Sequence, residues 1–108
     1  MHFANEQFTE AHLAFELILS DYPDDVNALF YEGMCRFRNG RYGEAVPQFR
    51  AALRHPVDLF REESRFYLAK SMVLSGDDEG LAMLREIAAS QAYYASQAAD
   101  FLEARGMK

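Results

Sequence analysis

The chain has 108 residues, 50% of them hydrophobic and 26% charged, with 17 acidic against 11 basic side chains. That is apolar mass for a single core, and it excludes disordered, collagen-like and low-complexity classes. A net charge of −6 argues against nucleic acid as a partner, because phosphate neutralisation supplies most of that affinity.

Residues 8–23 open the pattern, with Phe8, Ala11, Phe15, Ile18 and Leu19 spaced for one helix face and Pro23 closing the run. Residues 1–35 hold seven acids and no Lys or Arg. In 24–56, Leu29, Phe30, Gly33, Met34 and Phe37 recur at one-turn spacing and predict a helix ended by Asn39 and Gly40. A second helix follows with Ala45, Phe49, Ala52 and Leu53 inward, and Pro56 stops it. Pro47 lies about one turn into that helix, where a slight bend is the expectation. Residues 36–70 reverse the charge, with eight bases against four acids, and residues 71–108 return to three against six. Helices are then predicted over 62–75 and 77–89, and a closing helix over about 92–104 carries Tyr94, Ala98, Phe101 and Leu102. The reading is all-α, with about six helices.

The chain repeats itself. Phe8, Glu10, Ala11, Phe15, Ile18 and Leu19 fall on Tyr42, Glu44, Ala45, Phe49, Ala52 and Leu53, each at an offset of 34 residues. A fainter copy sets Phe30, Tyr31, Gly33 and Gly40 on Phe66, Tyr67, Ala69 and Gly76 at an offset of 36. Ala45, Phe49 and Ala52 recur at Gly80, Leu84 and Ile87, 35 residues on. Such a pattern predicts antiparallel helix pairs stacked into an α-α superhelix, with an atypical last helix covering the final apolar face.

The segment 27–56, NALFYEGMCRFRNGRYGEAVPQFRAALRHP, resembles a tetratricopeptide repeat. The family's small first-helix residue matches Gly33, its turn glycine Gly40, and its following aromatic Tyr42. Its second-helix Ala, aromatic and Ala match Ala45, Phe49 and Ala52, and its terminal proline matches Pro56. The resemblance divides the chain into a partial repeat (1–23), a full repeat (24–56), a degenerate repeat (57–89) and a capping helix (90–108). It also extends to bacterial domains of this type. Glu32, Arg36 and Arg65 depart from the family pattern, and the first two are spaced for an i,i+4 ion pair at a solvent edge. Only residues 1–7 remain for the first helix of the first repeat, so origin from a longer protein is the expectation.

Candidates for catalysis are thin. His12 and Glu16 have the spacing to share a metal ion, but a third ligand is not identifiable, so a solvent-facing pair is expected. Cys35 is flanked by Arg36 and Arg38, which favour a thiolate, yet a packed inert thiol is the simpler reading. Asp77, Asp78 and Glu79 lack the spacing and glycine of a calcium loop and suit a helix N-terminus. The expectation is therefore no enzyme, no cofactor and no metal.

What remains is recognition. The resemblance implies a concave face lined by the first helix of each pair, and there it places Asn27, Tyr31, Met34, Arg38, Tyr67 and Lys70. That groove is aromatic and suited to apolar or aromatic anchors of a peptide or helix. The alternative is a self-associating structural domain, a homodimer through the N-terminal helix. No apolar run approaches the roughly 18 residues of a membrane span. The N-terminus lacks a basic-then-apolar signal pattern; the sequence does not name the compartment and leans only weakly to the cytoplasm.

Overall fold

The computed structural model describes residues 3–56 and 60–106, and of residues 3–9 and 11 the backbone alone. Among them are six helices and no strands: α1 (Phe3–Asp21), α2 (Val26–Arg38), α3 (Tyr42–Arg54), α4 (Arg61–Leu74), α5 (Glu79–Ala89) and α6 (Ala95–Ala104). Each helix packs on the next in sequence, and α2 also touches α4. Short connections such as 39–41 force neighbours to run antiparallel.

The helix ends follow from local chemistry. Asp25 caps α2, its Oδ1 accepting the Ala28 amide at 2.9 Å. Gly40, at φ 77°, ends α2 in a left-handed turn in which the Arg41 amide donates to the Arg36 carbonyl at 2.8 Å and the Gly40 amide to Phe37 at 3.0 Å. The turn recurs after α4. Gly76 sits at φ 96°, with Asp77 donating to Met72 at 2.7 Å and Gly76 to Val73 at 3.0 Å. The 36-residue offset read from the sequence is thus a repeated turn geometry.

Three boundaries differ from expectation. Residues 3–7 form no separate short helix, because α1 runs unbroken from Phe3 to Asp21; no Gly or Pro interrupts that stretch. The second helix of the last pair begins at Glu79 rather than Asp77, because Asp77 Oδ1 accepts the Glu79 amide at 3.0 Å and holds its own backbone outside the helix. The closing helix begins at Ala95, since Ser90 Oγ accepts the Ala92 amide at 3.1 Å and Glu62 Oε1 accepts the Tyr93 amide at 2.9 Å. Those bonds keep 90–94 as a turn.

Close crossings set the stack. At the α2–α3 crossing a Cβ on Gly33 would lie 2.8 Å from the Phe49 ring, and both Phe49 and Ala45 are fully buried. At the α4–α5 crossing the small residues exchange sides. Ala69 occupies the first helix, and a Cβ on Gly80 would lie 2.5 Å from the Ala69 carbonyl oxygen. Each pair thus combines one glycine with one alanine, in opposite order. Phe49, with Phe30, Met34 and Leu68, anchors one core, while Phe66, Leu84, Ile87 and Leu102 anchor a second. Tyr67 and Met83 pack against both and make the two cores continuous.

Candidate functional site

The alternate helices α2, α4 and α6 share one face, and Lys70 marks it. Its Nζ lies over four rings: Phe37 of α2 at 5.4 Å, Phe66 and Tyr67 of α4 at 5.1 and 5.7 Å, and Phe101 of α6 at 5.2 Å. Burial pushes the pKa of this ammonium down, while the ring faces favour its charged form. Among the described residues its partners are rings, not carboxylates. Tyr94 stacks on Phe66 at 4.7 Å and extends the aromatic row. Burial, then Tyr67 and Glu63, raise its phenol pKa, so it stays a neutral donor.

A second group of rings lies toward the N-terminus. Tyr31, 45% exposed, stacks on Phe15 of α1 at 6.0 Å and meets Phe30 and Phe60 edge-on at 5.2 and 5.6 Å. Asn27, Tyr31 and Arg38 are exposed on one stripe of α2, and Tyr67 and Lys70 are half-buried on α4. Met34 shares the α2 stripe in sequence, but its side chain is in the core, only 8% exposed. The Phe15 side chain is half-buried against Tyr31; that of Phe8, in the same periodic set, lies outside the described residues.

A second constellation joins α1, α2 and α3. Glu32 is fully buried. Its Oε2 accepts from Arg36 Nε at 2.7 Å and pairs with His12 Nδ1 of α1. The other imidazole nitrogen, Nε2, lies 3.3 Å from Glu16 Oε1. Arg36 reaches Glu16 at 3.8 Å and Glu44 of α3 at 3.7 Å. The predicted Glu32–Arg36 pair is therefore present, but the solvent edge expected for it is corrected. Glu32 sits under α1, where a charge holds only if hydrogen-bonded. The pairing of His12 with Glu32 likewise corrects the expectation of a solvent-facing pair. Cys35, beside this cluster, is half-buried, and burial followed by Glu32 raises its pKa against the pull of Arg38 and Arg36. That favours the protonated, inert thiol.

The tetratricopeptide repeat family model matches residues 2–58, just over half the chain. The chain belongs to the tetratricopeptide repeat family. No curated protein and no solved structure matches it. Tetratricopeptide repeats are protein-interaction scaffolds and generally non-catalytic, which makes proteins the partners to expect. No helix among the described residues is long and apolar enough to cross a membrane.

The exposed and half-buried site residues fall on α2 and α4. Sequence reasoning missed the contribution of Phe101 to the surroundings of Lys70, because Phe101 stood in a helix read only as a cap; Phe37, which the family resemblance already put on the same face, lies there. Missed too was the position of Glu32 beneath His12, for which the i,i+4 spacing of His12 and Glu16 was half of the signal.

Proposed function

We propose that this tetratricopeptide domain binds a peptide or helix of a partner protein along the aromatic face of α2, α4 and α6. Its repeat division runs 1–23, 24–56, 57–89 and 90–108. One observation carries the reading: Lys70 is a half-buried lysine whose Nζ lies over rings from α2, α4 and α6. Rings supply large contact area at low entropic cost, so aromatic or aliphatic side chains of the partner are its anchors. Lys70 adds a charge that an acidic residue of the partner would complete, and Asn27 and Arg38 supply polar rim contacts.

Peptides selected from a random phage-displayed library against the purified chain test this. Enriched sequences should combine apolar anchors with an acidic residue. Tyr31→Ala and Lys70→Ala should each weaken their binding by about 1 kcal/mol or more. Tyr31 is the cleaner probe, since its exposure makes loss of folding a minor concern. Selected peptides that bind both variants as tightly as the parent would place recognition elsewhere.

A specific observation also favours self-association as the second reading. Leu13, Leu17 and Ile18 on α1 are 55%, 71% and 40% exposed. An apolar strip on an outer helix suits a two-fold contact between copies. Light scattering should then show a dimer that Leu17→Glu converts to monomer, with folding stability changed by less than about 0.5 kcal/mol. Added salt would strengthen a dimer whose acidic α1 helices repel and weaken one paired to the Arg-rich middle. A monomer at every concentration and salt would remove this reading.

A further inference from the structure

α1 is the counterpart of α3 at the 34-residue offset, and the two differ in what covers them. Phe49 of α3 is held between two helices. It meets Phe30 of α2 on one side and stacks on Tyr67 of α4 on the other, each at a centroid distance of 6.0 Å. A Cβ on Gly33 of α2 would lie 2.8 Å from its ring. Its counterpart Phe15 makes the second kind of contact, stacking on Tyr31 of α2 at the same 6.0 Å. The side of α1 that in α3 lies under the preceding helix is open. Ala52 is 5% exposed, but its counterpart Ile18 is 40% exposed, and Leu17, the counterpart of half-buried Ala51, is 71% exposed. Tyr67 is half-buried with Phe37 edge-on at 5.1 Å, while its counterpart Tyr31 is exposed. The charges match as well: Glu44 pairs with Arg36 and Arg41 at 3.7 Å, and its counterpart Glu10 is exposed.

We propose that α1 docks an amphipathic helix of a partner protein, lying on α1 as α2 lies on α3. Its chemistry follows from Phe30, Gly33, Arg36 and Phe37: an aromatic residue, a small residue three positions on, then an Arg and a second aromatic six and seven positions on. The small residue admits Phe15, the first ring covers it from the open side, the second ring meets Tyr31, and the Arg reaches Glu10. A second copy has no free helix of this kind. Its α2 and α4 are packed on α3 and α5, and in α6 Ser96 stands ten residues before Gly106, where Phe30 stands before Gly40. This site is separate from the Lys70 face and competes with self-association for α1.

A synthetic peptide of residues 24–41, which carries Phe30, Gly33, Arg36 and Phe37, is the probe. Titrated into the full chain and followed by fluorescence anisotropy, it should bind saturably with a Kd below about 1 mM. Ile18→Glu puts a charge under the docked helix and should weaken binding about tenfold or more. Glu10→Arg should weaken it by repelling the peptide's Arg36. Gly33→Leu in the peptide should cost about tenfold by holding the helix off Phe15. Library peptides whose binding falls on Lys70→Ala should bind Ile18→Glu as tightly as the parent, so the two surfaces fail separately. Circular dichroism reports whether each variant folds. No saturable binding up to about 1 mM, or binding that a folded Ile18→Glu variant retains, overturns the proposal. So does a dimer of the parent chain, abolished by Leu17→Glu, that the peptide does not dissociate, because a second copy is then the occupant.

Discussion

Replacing Gly80 with alanine should destabilise the domain by about 1–3 kcal/mol or more, although the same change in an exposed helix would stabilise it by up to about 1 kcal/mol. The added Cβ would lie 2.5 Å from the Ala69 carbonyl oxygen, 2.9 Å from Val73 Cγ2 and 3.0 Å from Met72 Cβ. The nearest of these belongs to backbone, so relief requires α5 to move off α4. In a thermal melt, Tm should fall on the order of 10 °C. An unchanged or raised Tm would show that α4 and α5 are further apart than the geometry gives.

The larger effect belongs to Phe49→Ala, expected to cost about 3–5 kcal/mol. Phe49 is fully buried, fills the space above Gly33, and contacts Phe30 and Tyr67, each at a centroid distance of 6.0 Å. Removing its ring opens a cavity where the two cores meet, and neither Gly33 nor Ala45 has side-chain length to fill it. Because small domains hold only about 5–15 kcal/mol in total, urea denaturation should show a midpoint shifted far toward zero. A loss below about 1 kcal/mol would mean that neighbouring rings collapse into the space.

The fold was legible because its signals are local and recur. Gly40 and Gly76 both require positive φ, Gly33 and Ala69 both require small size, and Phe49 and Leu84 both fill the gap beside them. Size class at a fixed offset survives even where identity changes, as the exchange between Ala45 and Gly80 shows. The start of α1 was less legible because repeat logic demanded a helix break that the residues themselves do not supply.

The candidate sites were legible only by halves. A stripe on one helix can be read from spacing, so Asn27, Tyr31, Tyr67 and Lys70 were found. What surrounds Lys70 comes from α2 and α6 as well, and no spacing rule within one helix reports it. Met34 shows the converse: it belongs to the stripe by spacing, yet lies in the core. Glu32 is a sharper case. A charged residue in a helix reads as solvated, and its burial becomes visible only when α1 is laid over it with His12 pointing to the same carboxylate. Ionic clusters assembled from separate helices are tertiary facts.

The shared face of α2, α4 and α6 is the proposed recognition surface. Amide chemical-shift mapping by NMR, with a library-selected peptide titrated into the labelled full chain, tests it most directly. Perturbations should concentrate on Asn27, Tyr31, Arg38, Tyr67, Lys70 and Phe101. Shifts confined to α3 and α5, with those residues unmoved at saturation, would contradict it.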